Sequence, residues 1–289
     1  MTRTVARARA RSIAAAERSR GWIEHQEPAS KKGAAINWVR RYREADGQLY
    51  AVLLTAYVFV TLLPVAIVVE TYVYRDPTAL SDHLVRRLSL RGPAATFVGG
   101  VITGAGSNKL GSALIAIANV VIVGLGFGRV LQLAYSRSWR LDVPSGMITD
   151  QLRYAAALLV PMGGLLLYLI QTRALEGRSS WIEWMLVPIW AVVIVAYFVW
   201  LPRLLLHKRV SVRDVLPGAV LTMVALVVMR VISSFLLTRW LVWYSQYYGG
   251  FGVVMALFFW LMIAMTILVV AAALSPALAE RRNLLETAR

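Results

Sequence analysis

Residues 215–274 read VLPGAVLTMVALVVMRVISSFLLTRWLVWYSQYYGGFGVVMALFFWLMIAMTILVVAAAL and contain two apolar segments. The first, 215–238, has one charged side chain, Arg230, and the second, 250–274, has none. A transmembrane helix needs about 20 mainly apolar residues, so each segment is long enough to cross a bilayer. The tyrosine-rich stretch between them ends in glycines, which is typical of a turn at a membrane interface. This block therefore predicts two consecutive membrane-spanning helices joined by a glycine turn.

The rest of the 289-residue chain has the same character, since it is 58% hydrophobic with a mean hydropathy of +0.62. Only 16% of its residues are charged, whereas soluble domains carry about 25%. Further uncharged runs predict spans at about 47–69, 110–128, 154–172 and 184–202. The predicted fold class is all-α: a polytopic membrane protein in which six transmembrane helices form the domain 47–279.

The predicted spans are flanked by segments of a different kind. Residues 1–46 are predicted to be a basic cytoplasmic tail that contains an interfacial helix at 32–43, and residues 280–289 a cytoplasmic C-terminal tail. Apolar residues at helical spacing predict an amphipathic helix at 78–90. The glycine-rich segment 92–111 either dips into the membrane or extends the second span.

The distribution of Lys and Arg predicts the orientation. With six spans, 22 of these residues lie on the side of both termini and 8 on the other side, the remaining one being Arg230. Because Lys and Arg concentrate on the cytoplasmic side of membrane proteins, both termini are predicted to lie in the cytoplasm. The predicted location of the protein is the inner membrane.

The net charge of +16 fits either nucleic acid or an anionic membrane as partner, and the spanning-length apolar runs favour the membrane. We therefore expect anionic lipids as partners and no nucleic acid. The chain has no cysteine, and its three histidines lie in three separate regions without carboxylates at metal-ligand spacing. No phosphate-binding loop or nucleophile motif occurs. We expect no enzyme activity, metal or cofactor.

Arg230 is the candidate substrate-binding residue, because a charge within a span costs about 2.5–3.5 kcal/mol and normally faces a bundle interior or a water-filled cavity. It either binds an anionic group such as phosphate, or has a structural role, paired internally or snorkelling towards the interface. The other polar candidates within spans are Asn119, Tyr57, Ser233 and Ser234. Each of these serves either a ligand or hydrogen bonding between helices.

Five residues are predicted to be hinges or kinks in the spans. They are Pro64, Pro161, Gly249, Gly250 and Gly252. Broken helices within a bilayer are tolerated where the backbone is buried or lines a cavity, and such helices are typical of transporters.

Several short motifs resemble those of the YihY/BrkB family of bacterial inner-membrane proteins, over about residues 40–279. They are Leu216-Pro217-Gly218-Ala219, Ser233-Ser234-Phe235, Tyr248-Gly249, Trp260, Ala56-Tyr57, Thr61-Leu62-Leu63-Pro64 and Asn119. The run GLGFGRVLQLAY at 124–135 resembles the YhjD-like branch. The chain departs from the family at Leu274-Ser275-Pro276, where members often carry an asparagine. The resemblance implies six spans with cytoplasmic ends, and export of envelope lipid or glycolipid is associated with that branch.

Two functional hypotheses follow. The first is a transporter or flippase-like exporter of an anionic lipid or other envelope amphiphile. The second is a non-catalytic scaffold or assembly factor, which would bind envelope proteins or a second copy of the chain.

Overall fold

The computed structural model describes residues 30–69, 85, 92, 95–96, 100, 109–142, 148–174 and 180–287. Every regular element within these residues is an α-helix and none is a strand, which confirms the predicted all-α class. The helices are α1 (Lys31–Glu44), α2 (Gly47–Val69), α3 (Lys109–Trp139), α4 (Ile148–Ala174), α5 (Ser180–Leu205) and α6 (Val212–Thr287). The predicted basic tail, the amphipathic helix at 78–90 and the glycine-rich segment 92–111 lie largely outside the described residues.

The interfacial helix predicted at 32–43 corresponds to α1. Ser30 caps its first turn, because the Ser30 hydroxyl accepts a hydrogen bond of 2.9 Å from the Gly33 amide. At its other end the chain turns through Asp46, which has a positive φ of 52°. The segments Lys32–Glu44 and Gly47–Leu62 meet at an angle of 59°. α1 therefore lies across the end of α2 and does not extend it.

α6 is a helical hairpin that reverses at Gly249. The backbone of Gly249 has φ 58° and ψ −139°, which no helical residue adopts. The first arm, 212–248, and the second arm, 250–287, run antiparallel, since the Gly218 amide donates to the Ser275 hydroxyl at 3.0 Å. The reversal is tight enough that a side-chain carbon at Gly252 would overlap the Tyr244 carbonyl oxygen. The predicted hinge glycines thus lie at the turn between the two arms.

The predicted hinge prolines lie inside continuous helices. Pro64 is in α2 and Pro161 is in α4. A proline at such a position removes one backbone hydrogen bond of the helix.

The main hydrophobic core lies at the end of the bundle opposite the Gly249 turn. It joins the beginnings of α2, α4 and α6 to the ends of α3 and α5, and Leu54, Leu131, Leu158 and Leu205 are almost fully buried there. A smaller cluster of Leu237, Leu241, Val253 and Ala256 holds the two arms together near the turn. Among the described residues, most of the fully buried side chains lie at the end where the α6 hairpin begins and ends.

Four helical segments in the described part of the chain are long and apolar enough to cross a membrane. They are Ala118–Trp139, Pro188–Leu205, Val212–Ser233 and Phe235–Thr287, and the bent pair Lys32–Glu44 with Gly47–Leu62 would be a fifth. The segment Phe235–Thr287 contains the Gly249 turn, so it is not one continuous helix. The part of it after the turn is the second arm of α6. α4, which includes the predicted span 154–172, is not among these segments. The structure supports four or five crossing helices where the sequence predicts six.

Candidate functional site

Arg230 lies on the exposed side of the first arm of α6. One terminal nitrogen of its guanidinium donates a hydrogen bond of 3.1 Å to the Tyr168 hydroxyl of α4. The guanidinium carbon lies 6.0 Å from the centroid of the same ring, within the range of a cation–π interaction. The neighbouring apolar side chains Val227, Val231 and Phe235 are also exposed. The charge is therefore surrounded by a surface of the kind that contacts lipid chains.

Two further polar side chains connect α4 to α5 beside Arg230. The Trp190 ring of α5 packs edge-on against the Tyr168 ring, with 5.3 Å between centroids. The Trp190 indole N–H donates to the Gln171 side-chain oxygen at 3.0 Å. These contacts fix the Tyr168 ring, which in turn positions the guanidinium. We call Arg230, Tyr168, Gln171 and Trp190 the Arg230 cluster.

Sequence reasoning did not identify Tyr168, Gln171 and Trp190 as site residues. Tyr168 and Gln171 are three residues apart, so they share one face of α4. Two polar side chains on one face within the predicted span 154–172 were the available signal. Their contact with Arg230 depends on the tertiary fold, because 62 residues separate Tyr168 from Arg230.

The other predicted site residues have separate surroundings. The Ser233 hydroxyl donates to the Arg230 carbonyl oxygen at 2.8 Å, within the helix itself. The side chain of Ser234 lies outside the described residues. Asn119 of α3 is partly buried, and its buried side-chain oxygen has no hydrogen-bond donor among the described residues.

Tyr57 packs between α2 and α3. A side-chain carbon at Gly126 would overlap the Tyr57 ring, so glycine at this position allows the two helices to approach closely. Within the part of the chain that the structure describes, no hydrogen bond or ring contact joins Arg230 to Tyr57 or to Asn119. Of the predicted set, Ser233 contacts the backbone carbonyl oxygen of Arg230 within one helix, and Asn119 and Tyr57 have no described contact with Arg230.

The ion pairs among the described residues lie at the opposite end of the bundle. Arg41 of α1 is buried, and its terminal nitrogens donate to the Ser138 carbonyl oxygen at 2.7 Å and to the Glu280 carboxylate at 2.6 Å. Asn37 donates to the same carboxylate at 2.7 Å. The hydrogen bond from Arg41, supported by that from Asn37, lowers the pKa of Glu280. Glu280 follows the predicted span 250–274, so this network connects α1 and α3 to the end of the second arm.

Asp150 forms a second polar group at this end. Its side chain is almost fully buried and accepts from Arg153 at 3.1 Å. One ring nitrogen of His207 lies 2.8 Å from the same carboxylate oxygen. The two residues are 57 positions apart, so the sequence does not reveal that this histidine has a carboxylate partner. Within the described residues, no three or more His, Asp or Glu side chains cluster in a way that could hold a metal ion.

The Arg230 cluster contains an anion-binding group. A guanidinium has about five N–H donors arranged in a fork that matches a carboxylate or a phosphate. The Tyr168 hydroxyl accepts a hydrogen bond from one of these N–H groups of Arg230. No carboxylate in the described part of the chain lies within ion-pair distance of Arg230. The arrangement is suited to binding an anion that comes from outside the chain.

Comparison with known proteins identifies a family. No curated protein and no solved structure matches the chain. The family model described as "Virulence factor BrkB" matches residues 38–289. This match covers most of the chain and confirms the resemblance that the sequence motifs indicate. Together with its long apolar helices, the match shows that the chain is a membrane protein of the BrkB family.

Proposed function

We propose that the chain is a transporter or flippase-like exporter of an anionic lipid or another anionic envelope amphiphile. In this proposal it resides in the inner membrane with six spans and both termini in the cytoplasm, and it catalyses no covalent reaction. The observation that carries the proposal is the exposed Arg230 guanidinium, which has one neutral partner on an apolar surface.

The energetics of Arg230 support an anionic ligand. Placing an arginine near the centre of a span costs about 2.5–3.5 kcal/mol on insertion scales. The hydrogen bond to Tyr168 offsets part of this cost, but a neutral hydroxyl does not neutralise the charge. A phosphate would neutralise it and accept two parallel hydrogen bonds. An anionic headgroup is therefore the ligand that would stabilise this position most.

The depth of Arg230 supports movement of that ligand across the membrane. Arg230 is eight residues from Thr238, the predicted outer end of the span, which corresponds to about 12 Å along a helix. It is 16 residues from Asp214 at the other end, or about 24 Å. A phosphate at Arg230 would thus lie between the two headgroup layers, while its acyl chains could remain among the surrounding lipid. A lipid bound in this way would be an intermediate in the movement of its headgroup across the membrane.

The ion pairs at the packed end support the proposed orientation. They involve Arg41, Arg137, Arg140, Arg153 and Arg282, all on the side that holds 22 of the Lys and Arg residues. An excess of Lys and Arg marks the cytoplasmic side of an inner-membrane protein.

Lipid movement in reconstituted vesicles tests the proposal. The protein should accelerate the crossing of a fluorescent phosphatidylglycerol over the rate in protein-free vesicles, with less effect on phosphatidylcholine. Arg230→Gln should slow that crossing by at least about tenfold, the effect of losing one charge-assisted hydrogen bond of about 1.5–3 kcal/mol. Arg239→Gln is the matched control, because Arg239 is an exposed arginine on the same arm at the predicted interface.

Two outcomes would count against the proposal. If neither lipid crosses faster with the protein, the transport function is wrong. If Arg230→Gln moves phosphatidylglycerol as fast as the unchanged protein, Arg230 is not the binding residue. Arg230→Lys should give intermediate rates, since lysine keeps the charge and loses the two-donor geometry.

A scaffold function is the second proposal, and the fixed position of α1 favours it. The Trp38 indole N–H donates to the Val270 carbonyl oxygen at 2.7 Å, and Arg41 binds Glu280. The basic segment 1–29 thus extends from a helix that is anchored to the bundle. Deleting residues 1–28 should abolish capture of envelope-protein partners in a pull-down while leaving lipid movement intact. Equal capture with and without these residues would refute a scaffold function of the tail.

A further inference from the structure

A pocket of 260 Å³ lies at the base of the α6 hairpin, at the end opposite Gly249. The Gly218–Ser275 hydrogen bond holds the two arms together beside it. One part of its wall is apolar, formed by Pro217, Leu278, Ala279 and Leu285. The other part is charged, formed by Arg213, Asp214, Arg281 and Arg282. The pocket therefore combines an apolar wall with a charged rim at the boundary of the predicted spans.

The charged rim has a positive balance. Three arginines and one aspartate line the pocket, which leaves a formal charge of +2. The Asp214 carboxylate is already occupied, because it pairs with Arg282 and accepts a hydrogen bond of 2.6 Å from the Ser211 hydroxyl. Arg213 is exposed, and no hydrogen bond or ion pair in the described part of the chain involves it. Arg213 is thus a cationic group at the rim that Asp214 does not neutralise.

A neighbouring cavity shows the contrast. It has a volume of 310 Å³ and is lined by Arg41 and Glu280, among others. There the arginine is paired with the carboxylate at 2.6 Å, so the charges of that pair balance. The two cavities are similar in volume and lie at the same end of the bundle, and they differ in the formal charge of their lining residues.

We infer that the pocket at the base of the hairpin binds a phosphate ester, with Arg213 of the first arm and Arg281 of the second arm contacting the phosphate. Asp214 holds Arg282 in place beside them. Guanidinium groups match the geometry of phosphate oxygens, and basic pockets next to apolar walls bind anionic headgroups at the cytoplasmic surface of membranes. The volume suits a headgroup rather than a whole lipid. This inference does not depend on transport and concerns a site distinct from the Arg230 cluster.

Ligand-induced thermal stabilisation of the full-length protein in detergent tests the inference. The probes are a short-chain phosphatidylglycerol, the zwitterionic phosphatidylcholine of the same chain length, and inorganic phosphate. A ligand that binds only the folded state raises the unfolding temperature by an amount that increases with the logarithm of its concentration above the Kd. We expect phosphatidylglycerol to stabilise the protein and phosphatidylcholine to have little effect.

The variants separate the pocket from the general positive charge. Arg213→Gln with Arg281→Gln should weaken the apparent affinity for phosphatidylglycerol by about tenfold or more, as expected for lost charge-assisted hydrogen bonds. The control, Arg43→Gln with Lys208→Gln, removes two exposed cations from the same end of the bundle. It should change the affinity by less than about twofold. Arg213→Gln alone, which breaks no contact in the described structure, provides a second variant if the double variant does not fold.

The outcomes decide both the inference and the source of the phosphate. If inorganic phosphate stabilises the protein with the same dependence on Arg213, the phosphate group alone is recognised. If only the lipid does so, the apolar wall is also required. Equal losses in the pocket variants and the control, or equal stabilisation by phosphatidylcholine, would overturn the inference. Arg230→Gln should bind phosphatidylglycerol at this pocket normally, so a failure of the transport proposal leaves this result interpretable.

Discussion

Replacement of Gly249 by alanine should destabilise the α6 hairpin through the backbone alone. Gly249 has φ 58° and ψ −139°, and a side-chain carbon at this position would meet no atom within 4 Å. No steric clash is therefore created. The cost arises because residues other than glycine rarely adopt this part of backbone space.

The expected magnitude is about 1–3 kcal/mol of lost stability, the usual cost of a residue held in a sparsely populated backbone region. Gly163→Ala is a matched control, since a side-chain carbon there also meets nothing within 4 Å but the residue lies inside the helix α4. Alanine is favoured over glycine within a helix by about 0.5–1 kcal/mol. The two substitutions add the same atoms and should change stability in opposite directions.

Unfolding of the purified protein by a denaturing detergent, followed through its helical circular dichroism, measures both effects. The midpoint should fall for Gly249→Ala and stay or rise for Gly163→Ala. A Gly249→Ala midpoint equal to or above that of the unchanged protein would show that the turn does not require the observed backbone conformation. A fall of equal size in both variants would show that added volume, and not φ, is responsible.

Two further predictions concern the base of the hairpin. Gly218→Ala should cost about 1–3 kcal/mol in the same titration, because the added carbon would overlap the Ser275 hydroxyl and lie 2.7 Å from the Ala271 carbonyl oxygen; an unchanged midpoint would contradict this packing. Because Arg41 lowers the pKa of Glu280 in the folded state, the carboxylate contributes stability above its unfolded pKa of about 4.3, and this contribution is lost as the pH falls through the lower folded pKa. Glu280→Gln should therefore lower stability near neutral pH and reduce the additional loss in acid, and an acid profile identical to that of the unchanged protein would refute the role of this pair.

Uncharged apolar runs in the sequence indicate where helices occur, but not where each helix ends. The uncharged run at 47–69 is helical throughout, since α2 comprises Gly47–Val69. The uncharged run at 110–128 is also helical, and α3 continues beyond it to Trp139. A charged residue ends a predicted span, but it does not end a helix. The helix α3 continues past Arg129 because Arg129 and Arg137 lie on its exposed side, while Gln132 is buried.

The polar contacts between helices, including those of the Arg230 cluster, could not be predicted from the sequence. Gln132 is an example: its amide donates to the Leu205 carbonyl oxygen at 2.9 Å, and its side-chain oxygen accepts from the Tyr154 hydroxyl at 2.5 Å. Each partner is on a different helix, so the pairing depends on how the helices pack. The same holds for Arg230, whose charge is evident from the sequence but whose partner Tyr168 is not.

The position of Arg230 between two fixed ends of the hairpin makes its substitution informative. The base is held by the Gly218–Ser275 hydrogen bond, and the turn by the cluster that includes Leu237 and Val253. Neither set of contacts includes the Arg230 side chain, which is exposed and has Tyr168 as its hydrogen-bond partner. A substitution at Arg230 therefore removes a charge from a predicted span without disturbing the packing that forms the hairpin. If lipid movement depends on that charge, the loss should occur with an unchanged unfolding midpoint, whereas a parallel loss of stability would assign Arg230 a structural role.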